Sequence, residues 1–468
     1  MKWLPIVAAA SAAATKTLPS SLNISDSDSI RDVAASLAYD TMSYYSGNTS
    51  DVPKDLGDLQ DPYYWWVAGA LWGAMLDYYH LTNDPSYNDV IIEALLAPTN
   101  LGTGEDYMPA EHADEEGNDD LFFWGSAVLS AAERNFPQPN KDLPSWLDIG
   151  VNVFNELVGR WDTASCAGGV RWQIYASNPN GLDYKNSVSN GGFFQLAARL
   201  ARATGNDTYL EWAEKVWDWS YDIGFVDPDN YHIYDGAGSS DNCSEINKYS
   251  FTYTSGIYLY GAAVMANHTG KAEWATRAES LFDGAGWFFS PFENSTNVMY
   301  EAACEKVNRC SVDMSTFKGY LARFMYQSTQ LVSSLRDKID VLMHPSAEGA
   351  AKACTGGETG RTCGQRWYTG AYDGNTGLGQ QMCALEAIQG LLIDDAPVPL
   401  KGDDIKVIRT TAWNPTEVKV KSTPTSTSAP TATETKAEES EDAASMARSN
   451  LVFASLSVST VLLVLGLV

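Results

Sequence analysis

Apolar residues recur at helical spacing along most of the chain, in segments of roughly 15 to 22 residues. The pattern predicts about twelve helices, which begin near Ser29, Trp65, Ser86, Asp119, Ser145, Ser187, Thr208, Phe251, Ala272, Ser315, Lys338 and Gly377. The connections are long and rich in Gly, Asn, Asp and aromatic residues, and few alternating strand patterns occur. Antiparallel helices in even number, with their long loops gathered at one end, predict an all-α fold: an (α/α)6 toroid of six helical hairpins in a single large domain.

The first segment has the composition of a targeting sequence. Lys2 precedes a short apolar core, and small residues follow as far as Ala14. This order is typical of a secretory signal peptide, so we expect residues 1–14 to be removed and the mature chain to begin near Thr15 in the secretory lumen.

The C-terminal end has three zones. A Ser/Thr/Pro-rich stretch covers 421–435, an acidic patch of small residues covers 438–449, and an apolar tail covers 451–468. That order is the signal for a glycosylphosphatidylinositol (GPI) anchor. The alternative, a membrane span, is disfavoured because no basic residue follows the tail. We therefore expect a catalytic domain over 15–400, an O-glycosylated stalk over 401–442, attachment at Asp442 or Ala443, and removal of 443–468.

Composition narrows the possible partners. The body can bury a large core, since 44% of the residues are hydrophobic and 12% are aromatic. The net charge of −28 argues against nucleic acid and against anionic membrane surfaces, both of which need a basic footprint. We expect a monomer that meets the membrane only through its anchor. The acidity indicates either solubility at an acidic cell surface or a cleft whose carboxylates and hydroxyl-binding groups hold a neutral polar ligand.

Seven cysteines in a secreted chain predict three disulfides and one unpaired residue. Cys304 with Cys310 and Cys354 with Cys363 each close a short loop, and Cys166 with Cys243 is the expected third pair. Cys383 lies in an apolar helical pattern, as a buried thiol would. The cysteines have no metal-site spacing, and no metal or cofactor is expected. Six sequons predict N-glycosylation, at Asn23, Asn48, Asn206, Asn242, Asn267 and Asn294.

Two adjacent aspartates, Asp119 and Asp120, are the candidate catalytic residues. Asn118 is a suitable N-cap for the apolar helix that follows, so both carboxyl groups would lie in the first helical turn. Two carboxyl groups held close together separate in pKa, and a spacing of about 5 Å is the one that retaining glycosidases use. A solvated pair of capping aspartates is the alternative interpretation of the same pattern.

Aromatic residues crowd several stretches. Trp212, Trp217 and Phe225 have helical spacing and are expected to pack in the core. Trp66, Trp124 and Trp172 adjoin polar or glycine-rich turns, where the face of an indole ring can stack on a sugar.

Five ordered motifs resemble those of glycoside hydrolase family 76. They are Gly117-Asn118-Asp119-Asp120 before an aromatic helix, the segment 166–173, Asn186-Ser187 with the segment 190–193, the turn 252–256, and Thr316-Phe317-Lys318-Gly319. The resemblance runs from about Asp26 to Leu392. Both ends of the chain are similar to those of the family's fungal GPI-anchored branch, the mannan endo-1,6-α-mannosidase-like cell-wall proteins.

The resemblance implies an (α/α)6 fold and retaining chemistry on α-1,6-mannose linkages, with Asp119 as nucleophile and Asp120 as acid/base. The physics agrees with a carboxylate pair but leaves its order open. Besides the three tryptophans, the motifs place substrate contacts at Gln173, Asn186, Asn190, Tyr253 and Lys318.

The fungal branch also implies a reaction and a location. Its members are thought to cleave the mannose-containing glycan of a GPI anchor and to pass the attached protein to β-glucan at the cell surface. Bacterial members tend to carry Asn-Gln where this chain has Thr254-Ser255, which favours transfer over simple mannan hydrolysis. The alternatives are a plain mannan endo-1,6-α-mannosidase and a non-catalytic glycan-binding wall protein.

Overall fold

The computed structural model describes residues 17–138, 143–178 and 181–409, and within them the regular elements are thirteen α-helices and three short strands. The helices are α1 Ser27–Met42, α2 Trp65–Thr82, α3 Asn88–Leu95, α4 Pro98–Leu101, α5 Asn118–Glu133, α6 Trp146–Gly159, α7 Ser187–Thr204, α8 Asp207–Asp222, α9 Thr252–Thr269, α10 Ala272–Ala285, α11 Phe317–Thr329, α12 Arg336–Ala353 and α13 Leu378–Gln389. Each predicted helix start lies within two residues of an observed one, and the additional helix is the short α4.

Six helices form a closed inner ring. Each of α2, α5, α7, α9, α11 and α13 packs against the next in that order, and α13 packs back against α2. The other long helices lie outside this ring and pack against its members: α6 on α5, α8 on α7, α10 on α9, and α1 and α12 on α13. This double ring is the predicted (α/α)6 toroid.

The helices of the two rings differ in how much of their surface is buried. Every residue of α9 from Thr252 to Met265 is buried, and so is every residue of α13. Outer helices bury one stripe only; in α8 the buried side chains include Ala213, Val216 and Trp217. A helix that is apolar on all sides needs neighbours on all sides, so the sequence of the inner helices already requires a second layer around them.

Local signals explain where several helices begin. Asp26 caps α1, accepting from the backbone N–H groups of Asp28 and Ser29. Ser145 and Asp148 form a capping box at the start of α6. Asn186 caps α7 and accepts from the N–H of Ser189. These side chains satisfy amide groups that have no partner inside the helix.

A small antiparallel sheet leads into α7. Its strands are β1 Tyr184–Asn186, β2 Gly236–Gly238 and β3 Ile246–Asn247, with Tyr184 opposite Gly238 and Asn186 opposite Gly236. Strand β1 ends at Asn186, the residue before α7, so the sheet fixes the position of this side chain at the start of an inner-ring helix.

The three disulfides join Cys166 to Cys243, Cys304 to Cys310 and Cys354 to Cys363, the three predicted pairs. Cys383 is a buried thiol, as expected, and burial raises its pKa to about 12.

In the part of the chain that the structure describes, no helix is both long and apolar enough to cross a membrane. The predicted signal peptide, most of the predicted stalk, the attachment residues Asp442 and Ala443, and the apolar tail lie outside the described residues.

Candidate active site

Helix α5 belongs to the inner ring, and its first turn carries the aspartate pair. Gly117, not Asn118, occupies the N-cap position. Asn118 is the first helical residue; its N–H donates to the carbonyl oxygen of Trp172 and its side-chain amide to that of Arg171, each at 2.9 Å. The predicted cap at Asn118 is therefore wrong by one residue, because this side chain instead ties the helix start to the neighbouring loop. Both aspartates lie in the first turn, as predicted.

Gly117 leaves room for both carboxyl groups. A Cβ atom at this position would lie 2.5 Å from Oδ1 of Asp119 and 3.2 Å from Oδ2 of Asp120. The N–H of Gly117 donates to that same Oδ2 at 2.5 Å. Two atoms at these distances from one point are at most about 5.7 Å apart, below the roughly 6.5–9.5 Å of inverting glycosidases and compatible with the roughly 5–5.5 Å of retaining ones.

The two carboxyl groups differ in their surroundings. Asp119 is the only residue of α5 that is not buried, whereas Asp120 is 8% exposed. Burial raises the pKa of Asp120 well above its usual range, and the charge of Asp119 raises it further. Burial also raises the pKa of Asp119, but the backbone N–H groups of Asp119 and Asp120 and the side chain of Asn186 oppose that effect. Asp120 is therefore the member of the pair that holds a proton, and Asp119 the member better able to ionise.

A third carboxyl group, Asp313, adjoins the pair. Its Oδ1 accepts a hydrogen bond from Nε1 of Trp66 at 3.1 Å. Burial raises the pKa of Asp313 to about 6, and its charge contributes to the raised pKa of Asp119. Asp313 comes from the loop before α11 and Asp119 from α5, so only the closed ring brings them together.

Aromatic side chains form a wall beside the three carboxyl groups. Trp66 contacts Phe123 with ring centroids 4.4 Å apart, and Tyr253 stacks on Phe317 at 3.8 Å with an interplanar angle of 2°. Phe123 and Tyr253 connect these two pairs. Burial raises the pKa of Tyr253 well above its usual value, and the charges of Asp119 and Asp313 add to that effect. Its phenol therefore stays neutral and able to donate a hydrogen bond.

The comparisons with known proteins agree with this geometry. Residues 29–403 match the model of the glycosyl hydrolase family 76 domain. The chain belongs to glycosyl hydrolase family 76. Among relatives, it is 45% identical to mannan endo-1,6-alpha-mannosidase DCW1 of Candida glabrata over 368 residues, 78% of this chain and 80% of that protein. It is 44% identical to mannan endo-1,6-alpha-mannosidase DFG5 of Saccharomyces cerevisiae over 385 residues, 82% of each chain.

Solved structures support the same family and fold. Dfg5 from Chaetomium thermophilum, in complex with glucosamine, is 40% identical and superposes with a TM-score of 0.78 over 82% of this chain and 95% of that one. An inactive variant of the α-1,6-mannanase of Salegentibacter sp. HEL1_6, in complex with α-1,6-mannotriose, is 20% identical with a TM-score of 0.61 over 78% and 99% of the two chains. The second likeness shows the shared (α/α)6 fold.

Five of the predicted substrate contacts lie beside the carboxyl groups or the start of α5. Trp66 and Tyr253 belong to the aromatic wall, and Asn186 contacts Asp119. Trp172 and Gln173 lie beside the start of α5: the carbonyl of Trp172 accepts from Asn118, and Gln173 forms an isolated bridge with Gly117.

Three other predicted sugar contacts, Trp124, Asn190 and Lys318, have buried side chains that pack against or bond to neighbouring residues. Trp124 has no exposed surface and lies between the rings of Trp65 and Tyr107, at centroid distances of 5.1 and 4.9 Å. The side-chain amide of Asn190 bonds to the backbone: its Oδ1 accepts from the N–H of Val170, and its Nδ2 donates to the carbonyls of Val170 and Asn186. The ammonium group of Lys318 lies 2.8 Å from Oε1 of Glu305, and the residue is 1% exposed.

Sequence reasoning missed Asp313, Phe317 as an aromatic wall residue, and Glu116. Glu116 is buried, and in the described part of the chain neither of its carboxyl oxygens has a hydrogen-bond partner within normal distance. Burial raises the pKa of Glu116 to about 8, and its charge contributes to the raised pKa of Asp120. The available signal for Asp313 was its position three residues before the Thr316-Phe317-Lys318-Gly319 motif.

Thr254 and Ser255 are 1% and 3% exposed. The hydroxyl of Thr254 donates to the carbonyl of Phe251 inside its own helical turn.

Among the described residues, no group of three or more His, Cys, Asp or Glu side chains is arranged to hold a metal ion.

Proposed function

We propose that this protein is a cell-surface retaining enzyme that cleaves α-1,6-mannose linkages and transfers the released glycan to a sugar hydroxyl, passing GPI-linked glycoproteins to cell-wall β-glucan. The observation that carries the proposal is the Asp119–Asp120 pair: two carboxyl groups with oxygens at most about 5.7 Å apart, one partly exposed and one buried, in the first turn of an inner helix of a family 76 toroid. Membership of a family whose relatives are named mannan endo-1,6-alpha-mannosidases supports the linkage.

The first chemical step uses both carboxyl groups. The carboxylate of Asp119 attacks the anomeric carbon while the bond from that carbon to the leaving oxygen breaks. The carboxyl proton of Asp120 passes to the leaving oxygen, and a glycosyl ester on Asp119 results. The raised pKa of Asp120 supports this division of roles, because a general acid must still hold its proton when the substrate binds.

The second step reverses the proton transfer. The carboxylate of Asp120 takes the proton from an incoming hydroxyl group, whose oxygen bonds to the anomeric carbon while the ester to Asp119 breaks. Two inversions at one carbon retain its configuration. The product is a transferred glycan when the hydroxyl belongs to a sugar, and a hydrolysed one when it belongs to water.

The aromatic wall supports transfer. Trp66, Phe123, Tyr253 and Phe317 place ring surfaces beside the carboxyl groups. All four side chains are largely buried, and the wall they form offers few hydrogen-bonding sites to water beside the carboxyl groups. A sugar acceptor that covers this wall would exclude the competing water.

The test supplies donor and acceptor together. We expect the purified enzyme, given a GPI-glycan fragment and a β-glucan oligosaccharide, to form the coupled product faster than it releases reducing mannose. If hydrolysis of unbranched α-1,6-mannan dominates even with abundant acceptor, transfer is wrong and a plain mannan endo-1,6-α-mannosidase remains. If neither product forms, while the Asp119→Asn variant and the parent bind the donor equally, the protein is a glycan-binding wall protein.

A further inference from the structure

A cavity of about 360 Å³ opens between the start of α13 and the loop that precedes α11. Amide and hydroxyl side chains dominate its wall, and we call it the amide pocket; they are Asn308, Ser311, Ser315, Gln365, Asn375, Thr376 and Gln380. Val312 also lines it, and the next residue is Asp313, the carboxyl group beside Asp119. The loop that carries Asp313 therefore also forms part of the pocket wall.

Two buried acceptors in this wall lack a donor. Gln365 is 4% exposed, and its Nε2 donates to Oε1 of Glu305 at 3.1 Å while its own Oε1 has no hydrogen-bond partner among the described residues. Glu305 is 1% exposed; its Oε1 also receives Lys318 at 2.8 Å, and its Oε2 has no partner there either. A buried acceptor without a donor lowers the stability of the protein, so this wall favours binding of a molecule that donates hydrogen bonds.

The charges around the amide pocket are already paired. Lys318 neutralises Glu305, and the guanidinium of Arg366 lies 2.7 Å from Asp373. The groups left for a ligand are amides, hydroxyls and the two free acceptors, with Tyr63 at the edge. A neutral molecule with several hydroxyl groups matches this set better than an anion or a metal ion, and the volume falls in the range of small-ligand sites.

The pocket wall is held in place from two sides. The disulfide between Cys304 and Cys310 closes the loop that contains Glu305 and Asn308, and the hydroxyl of Tyr63 accepts the N–H of Leu378 at 2.9 Å. A wall fixed before the ligand arrives loses less conformational entropy on binding.

We propose that the amide pocket is a subsite for a neutral sugar unit of the substrate, whose hydroxyl groups donate to Oε1 of Gln365 and Oε2 of Glu305. This inference rests on the proposed function, since the sugar unit is part of the glycan that Asp119 and Asp120 act upon. Donor mannan and acceptor glucan share the required chemistry, and the experiment separates them.

The experiment measures binding without turnover, by calorimetry in the full-length Asp119→Asn protein. The probes are α-1,6-mannotriose and a β-1,3-linked glucose trisaccharide. Adding Gln365→Met keeps the length of the side chain and removes its acceptor, and we expect it to weaken at least one trisaccharide about tenfold or more. The sugar that loses affinity identifies the source of the bound unit.

A matched control comes from the core. Gln195 is also buried, donates from Nε2 to the carbonyl of Ile257, and has an Oε1 without a partner among the described residues. Gln195→Met should leave binding unchanged. If Gln365→Met lowers the unfolding temperature more than this control does, Ser311→Tyr takes its place, because Ser311 is exposed and its larger side chain would fill the pocket from the solvent side.

The inference is overturned if the parent binds neither trisaccharide, or if the pocket variants bind both as tightly as the parent. Its failure is distinguishable from failure of the proposed function. Wild-type protein that forms coupled product while the pocket variants keep full affinity would contradict the subsite alone. Wild-type protein that forms no product while Gln365→Met loses affinity would contradict the catalytic proposal alone.

Discussion

The indole N–H of Trp66 donates to Oδ1 of Asp313 at 3.1 Å, and these residues lie 247 positions apart in the chain. The bond joins the aromatic wall to the third carboxyl group of the site. Because the charge of Asp313 raises the pKa of Asp119, this carboxyl group influences the pH at which the proposed nucleophile ionises.

Replacing Asp313 with Asn should extend activity to lower pH. The amide oxygen still accepts from Trp66, but the negative charge is lost, so the pKa of Asp119 falls and its carboxylate forms at lower pH. The acidic limb of the kcat/KM profile should move down by about half a unit or more. Asp58→Asn is the matched control, since burial raises the pKa of Asp58 to about 6 too, and it is not among the groups acting on Asp119. An unmoved limb in the Asp313 variant would contradict the proposed influence.

Replacing Asp119 or Asp120 with Asn should lower kcat at least about a thousandfold without loss of stability. Neither amide can serve as nucleophile or acid, while removal of a buried charge relieves its desolvation cost. Circular dichroism and the unfolding temperature check the fold, and product release checks the activity. Near-normal turnover in both variants would contradict the catalytic assignment.

An activated substrate separates the two roles. An aryl α-mannoside whose leaving group needs no proton should restore the first step in Asp120→Ala but not in Asp119→Ala. A burst of aryl release in the Asp119 variant instead would reverse the assignment.

Stability should fall as pH rises from about 4.5 to about 8, in part because of Glu301. Burial raises the pKa of Glu301 from 4.5 to about 8 in the folded protein, where its Oε2 accepts from the N–H and hydroxyl of Thr252 at the start of α9. The folded state therefore binds more protons than the unfolded state over this window, and raising the pH favours unfolding. Glu301→Gln should flatten the dependence and raise the unfolding temperature at pH 8.

Glu133→Gln is the opposing control for that experiment. Glu133 is buried and paired with Arg199 at 2.8 Å, so losing its charge leaves a buried guanidinium without its partner. This variant should be less stable across the whole range, by about 3–5 kcal/mol. Equal pH dependence in wild type and Glu301→Gln would exclude Glu301 as a cause.

The C-terminal segment predicts how the protein is attached. A GPI-specific phospholipase should release the mature protein from membranes. Mass spectrometry of the released protein should find a chain that lacks residues 451–468. Replacing Asp442 and Ala443 together with bulky residues should reduce attachment, whereas the same change at Thr431 and Ala432 in the predicted stalk should not. An intact tail on the mature chain would instead indicate a membrane span.

Much of the architecture depends on residues that are close in the chain, and it could therefore be predicted from the sequence. Apolar periodicity identifies the long helices because a helix must bury a stripe or a whole surface, and caps such as Ser145 mark their first residues. The Asp119–Asp120 pair could be found because its two members are adjacent in the chain and carry a recognisable motif. The disulfide pairs could be predicted because two of them close short loops, which leaves few alternatives for the third.

The tertiary structure alone decided which candidate residues lie beside the carboxyl pair and which support the fold. Trp124 and Trp66 lie in similar aromatic stretches, yet one is enclosed by Trp65 and Tyr107 and the other reaches Asp313. Lys318 has the charge of a ligand-binding residue but neutralises a buried glutamate. Burial and electrostatic environment are sums over neighbours that are distant in the chain, and those neighbours are known only once the ring of helices has closed.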